Sequence, residues 1–154
     1  MRSIIVIIAL GIAAIAGCSG GSSPTVAPNV TAQQQASASK SMGLTFPPET
    51  HFLLYHRASE DGGLPGPDEA VHLKIELSAS ALSTFLAQGP LSSAKWTSSN
   101  ALITDVPKWS EWQPSRIKKF RFEQLLLPKG QALNVLIDDD KDDPKVVYLF
   151  WFEI

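Results

Sequence analysis

Apolar and polar residues alternate without a break over residues 70–77 (AVHLKIEL). Val71, Leu73, Ile75 and Leu77 fall on one side, His72, Lys74 and Glu76 on the other. A two-residue period of this kind predicts a half-buried strand. Residues 50–57 (THFLLYHR) predict another strand, apolar on both sides through Phe52, Leu53, Leu54 and Tyr55. Between them, residues 58–69 are rich in Gly, Pro and acid and form a long loop. Ser78 is a natural N-cap, and Leu82, Phe85 and Leu86 make a helical stripe that Gly89-Pro90 ends. Residues 91–106 have no period, so that stretch is irregular. Pro114 suits the first position of a short helical turn running into Arg116 and Ile117. Residues 119–127 and 131–138 predict two strands joined at Pro128-Lys129-Gly130. A polar turn over 138–144 leads to the last strand, residues 145–153 (KVVYLFWFE).

The order β-β-α-(α)-β-β-β predicts an α+β fold. Its core is a mainly antiparallel sheet of about five strands, with one or two short helices packed on one face. The last strand is apolar on both sides: Val146, Tyr148, Phe150 and Phe152 on one, Val147, Leu149 and Trp151 on the other. Such a strand is normally covered on both faces. Residues 91–113 are the natural second cover. The alternative is a partly open aromatic surface around Tyr148 or Trp151 that docks a protein, glycan or lipid.

The amino terminus has a different character. Arg2 precedes an unbroken apolar run over residues 4–16, short of the ~20 residues of a membrane span but typical of a secretory signal. The run closes on Ile15-Ala16-Gly17-Cys18, and Cys18 is the only cysteine. This resembles the lipobox of bacterial prolipoproteins. The resemblance implies diacylglyceryl transfer to the Cys18 thiol, cleavage after Gly17 and a further acyl chain, such as palmitate, on the new amine. Two or three chains make a stable anchor where one is marginal. A plain cleaved signal or a short uncleaved anchor is the alternative, and neither accounts for the position of the sole cysteine. Ser19 and Gly20 follow, resembling the outer-membrane-directed pattern. The implied location is therefore the extracytoplasmic face of the cell membrane or outer membrane.

Residues 1–17 are thus expected to be a signal peptide, 18–41 a lipidated cysteine and disordered tether, and 42–154 a single globular domain. The tether carries one charge, Lys40, and two large apolar residues, Val26 and Val30. Beyond its anchor, the domain resembles only small uncharacterised bacterial lipoproteins. With 13 Lys+Arg against 15 Asp+Glu, the near-neutral balance excludes an ordinary nucleic-acid binder. A single cysteine excludes an internal disulfide or a cysteine-rich metal site.

Four clusters are candidates for chemistry. Trp109 and Trp112 are three apart and would share a helical face, with Arg116 in stacking reach of Trp112. Together with Tyr148 and Trp151 they form the candidate binding surface. Asp138, Asp140 and Asp142 open like a calcium loop, but Asp143 stands where an EF-hand needs Gly and Leu149 where it needs Glu. A solvated acidic turn is the expectation. His56 and His72 become cross-strand neighbours if position 56 pairs with 72, with Glu60, Asp61, Asp68 and Glu69 nearby; a one-residue slip separates them. Residues 116–122 interleave basic and aromatic side chains, suiting either anionic headgroups or a solvated face.

No G-x-S-x-G, H-E-x-x-H, phosphate-loop or dinucleotide motif occurs. The sequence therefore supports a lipid-anchored, non-catalytic binding or structural module. Its expected partners are the membrane and an envelope protein or glycan, with no metal and no cofactor. The alternative is a small envelope hydrolase or metal-dependent enzyme using His56, His72 and the loop carboxylates.

Overall fold

The computed structural model describes residues 30–58, 69–106 and 108–154. Its first element corrects the tether reading. Helix α1 spans Ala32–Met42, so residues 32–41 of the segment expected to be disordered are helical. Thr31 and Gln34 form a reciprocal capping box at its start, and Gly43 closes it in the left-handed conformation at φ 65°. The helix docks through Ala38 and Met42, both fully buried. Small side chains let it lie close to the sheet, a contribution that a count of large apolar residues misses. Tyr55 Oη and Arg57 Nη1 both donate to Ser37 Oγ, at 3.4 and 3.1 Å, tying the helix to the first strand.

Five strands follow: β1 (His51–Arg57), β2 (Ala70–Leu77), β3 (Phe120–Leu127), β4 (Gln131–Asp138) and β5 (Lys145–Glu153). They form one antiparallel sheet in the order β1-β2-β5-β4-β3. The fold is α+β, as the pattern implies, with α1 and helix α2 (Ala79–Leu86) packed on the same face. The second helix is α1; the turn at Pro114–Arg116 is only a single turn of 3₁₀ helix. Ser78 caps α2 by accepting from the Ala81 N–H at 3.2 Å.

A register shift between Phe52 and Leu54 explains why β1 is apolar on both sides. The bulge turns Phe52 and Tyr55 toward the helices and Leu54 toward the opposite layer. It also pairs His56 with His72.

The long connection from β2 to β3 covers both faces in turn. Its first part, α2 and a 3₁₀ turn at Gly89–Ser93, packs with Ala94 and Trp96 against the helical side. Thr97 then bridges Phe122 on the outer edge of β3, with N···O distances of 2.9 and 2.7 Å. Beyond that point Ala101, Ile103, Trp109, Trp112 and Ile117 lie over the other face. The chain thus wraps around the β3 edge and blocks part of it from further pairing. β5 is covered on both sides as a result: Val147, Leu149 and Trp151 by the helices, Tyr148 by the wrapped segment. Asn134, the buried polar residue of β4, fastens that segment. Its Nδ2 donates to the Leu102 carbonyl at 2.9 Å, and its Oδ1 accepts from Gln124 Nε2 at 2.9 Å. Among the described residues no helix is long and apolar enough to cross a membrane.

Candidate functional site

The four aromatic candidates divide between the two faces. Trp109, Trp112 and Tyr148 meet on the wrapped side, while Trp151 packs in the helical core. Trp112, Tyr148 and Trp151 are 0, 5 and 2 % exposed, so they do not form an open surface. Trp112 is held by a hydrogen bond from Nε1 to the Thr104 carbonyl at 3.0 Å and by an edge contact with Tyr148, centroids 5.2 Å apart. Trp109 is half-buried and caps the histidines. Its link to Trp112 is a turn rather than a helix, with Trp112 N donating to the Trp109 carbonyl at 3.1 Å.

His56 and His72 stand side by side on that face with ring centroids 6.3 Å apart. Trp109 covers both, at 3.9 Å from His56 and 4.9 Å from His72. Trp112 and Phe150 close around His72 at 4.9 and 4.4 Å. Burial, with a smaller repulsion from His56, pushes the His72 pKa down to about 4. At neutral pH the His72 imidazole is therefore an uncharged ring in an aromatic cluster, and among the described residues its buried Nδ1 has no hydrogen-bond partner. Further along β2, Lys74 Nζ sits 4.9 Å from the Tyr148 ring centroid and donates to the Glu111 carbonyl at 2.7 Å. Burial lowers the Lys74 pKa and raises that of Tyr148 to about 12.

The carboxylates expected near the histidines are placed elsewhere or lie outside the described residues. Glu60, Asp61 and Asp68 fall in the latter group. Glu69 pairs with Arg57 at 2.9 Å. Among the described residues no group of three or more metal-binding side chains converges.

The acidic turn has structural work for most of its carboxylates. Asp139 binds Arg121 at 2.7 Å and Lys145 at 2.9 Å. Burial alone would raise the Asp139 pKa, but these contacts outweigh it and leave the carboxyl below its usual range. Asp140 accepts from the Lys118 and Lys119 N–H groups at 2.9 and 3.0 Å, which lowers its pKa as well. Asp138 Oδ1 accepts from the Asp140 N–H at 2.8 Å, and Asp143 Oδ1 from the Ala79 N–H at the start of α2 at 2.9 Å. The run of aspartates thus fastens neighbouring segments together instead of converging on one point.

A concave feature with mixed chemistry lies beside Trp151. A groove of about 600 Å³ opens between the C-terminal half of α1 and one end of the sheet. Ser37, Lys40 and Ser41 of α1 form one wall; Leu127, Pro128 and Lys129 of the β3–β4 turn form another. Arg57, Glu69, Gln131, Glu153 and Trp151 come from the strand ends. Lys129 and Gly130 both take left-handed conformations, at φ 66° and 70°, so the turn projects Lys129 from a fixed backbone. Sequence reasoning singled out Trp151 of this set, and Glu69 only as a neighbour of the histidines. Lys40 was visible as the sole charge of an apparently structureless segment, but the contributing stretches are far apart and share no local pattern. Compared with known protein families, curated proteins and solved structures, the chain matches none of them.

Proposed function

We propose that this chain is a lipid-anchored, extracytoplasmic, non-catalytic binding domain, tethered through Cys18, with the groove beside α1 as its site. The observation that carries the reading is the groove itself. Its volume of about 600 Å³ falls within the ~300–1,000 Å³ usual for small-molecule sites, and it combines charged and hydroxyl-bearing walls with apolar residues of the β3–β4 turn. The lipobox resemblance supports the anchor. Because α1 begins at Ala32, the 13 residues from 19 to 31 are all that separates the anchor from the folded domain. They reach at most about 45 Å when fully extended. The groove is thereby kept close to the membrane.

The hydrolase or metalloenzyme alternative draws on the observed pairing of His56 with His72. The packing of both rings against Trp109 gives that pair a structural task instead. A photoreactive amino acid placed at Ser41 or Gln131 tests the binding reading in intact cells, with exposed Ser83 on α2 as the control position. An adduct formed from the groove positions and missing from Ser83 is the expected result. Equal labelling from all three, or none from the groove, would overturn the assignment.

A further inference from the structure

We infer that the occupant of the groove is a small organic anion with an apolar body, a carboxylate-bearing molecule in the simplest case. This deepens the binding reading and rests on it. The groove is rich in donors that have no acceptor. Lys40 and Lys129 make no hydrogen bond or ion pair among the described residues, whereas Arg57 is engaged by Glu69 at 2.9 Å and by Ser37 at 3.1 Å. Trp151, 2 % exposed and part of the lining, keeps its Nε1–H buried without a partner among the described residues.

With Arg57 and Glu69 neutralising each other, two lysines face one remaining carboxylate, Glu153. The local excess is positive in a chain whose formal net charge is −2. An anion also answers the indole, because an unmet buried donor is destabilising and an acceptor relieves it. Nε1 has no exposed surface, so an acceptor meets it only where the lining moves aside. Leu127, Pro90 and Pro128 add an apolar stretch to a wall that also carries Ser37, Ser41 and Gln131. Such a wall favours a ligand with a hydrocarbon or aromatic portion behind its charged group.

The test uses the full chain in a non-ionic detergent, with its 4 tryptophans labelled at the indole nitrogen for NMR. The Trp151 resonance is assigned by its loss in Trp151→Phe. The probes are 3-phenylpropionate and its neutral isostere 3-phenylpropanamide, each titrated to millimolar concentration. The expected result is a saturable shift of the Trp151 resonance by the carboxylate, with the amide about tenfold weaker. The double variant Lys40→Gln/Lys129→Gln, altered only at exposed positions, should lose that preference while keeping the other indole resonances in place. A shift of equal affinity with both probes overturns the anion assignment and leaves the groove as a binding site. No shift of Trp151 with either probe overturns both readings.

Discussion

Acidification should weaken the fold through His72 before the carboxylates contribute. The imidazole pKa falls from 6.5 to about 4 on folding, because burial among Trp109, Trp112 and Phe150 disfavours the cation and His56 adds repulsion. The unfolded chain takes up the proton as pH drops below 6.5, while the folded chain resists until about 4. The stability held in the neutral ring is therefore intact above that window, declines through it and is gone below it. A depression of this size corresponds to about 3 kcal/mol, an upper value because the ring keeps some contact with solvent. Urea unfolding from about pH 7.5 to about pH 4.5 reads it directly. The comparison is His72→Leu, which keeps an apolar side chain under Trp109 and removes the titration. Wild type should lose most of the ~3 kcal/mol across this range relative to the variant. Parallel pH profiles for the two proteins would refute the reasoning. Asp105, held down by hydrogen bonds from the Ser115 hydroxyl and N–H, and Asp139 do not interfere, since their pKa values are lowered and their contributions are lost only at more acidic pH.

Two substitutions test the two layers separately. Trp112→Ala should cost about 3–5 kcal/mol in urea unfolding, since it empties the centre of the wrapped side and removes the bond to Thr104. A loss under about 1 kcal/mol would mean that this side is not a packed core. Met42→Ala should cost about 2–5 kcal/mol, because the side chain is fully buried against the sheet. No change in stability would show that α1 does not dock and that the segment is a tether after all.

The sheet was legible because its signals are local. Strict alternation over residues 70–77, the Pro-Lys-Gly turn at 128–130 and the capped stripe after Ser78 each announce an element within a few residues. The two-sided apolar pattern of β5 also foretold cover on both faces, and the segment after residue 91 supplies one of them. What escaped has a physical reason. α1 buries only Ala38 and Met42, so its stability comes from a capping box and close approach, not from a stripe of large residues. The register of His56 depends on a bulge between Phe52 and Leu54, and bulges have no reliable local signature. The groove escaped for a related reason. Its residues converge from α1, the strand ends and one turn, so only the assembled topology brings Lys40, Arg57, Lys129 and Trp151 together. The aspartates illustrate the converse, because a motif-like spacing turned out to serve backbone N–H groups and ion pairs.

The most direct test of a membrane-held binding domain is the mass of the mature amino-terminal peptide. The full chain is expressed in a bacterium and recovered from its membranes for that measurement. The account predicts a peptide that begins at Cys18 and carries diacylglyceryl on the thiol, and it predicts that Cys18→Ser abolishes the modification. An unmodified Cys18 inside a longer peptide, or a mature chain beginning elsewhere, would contradict it.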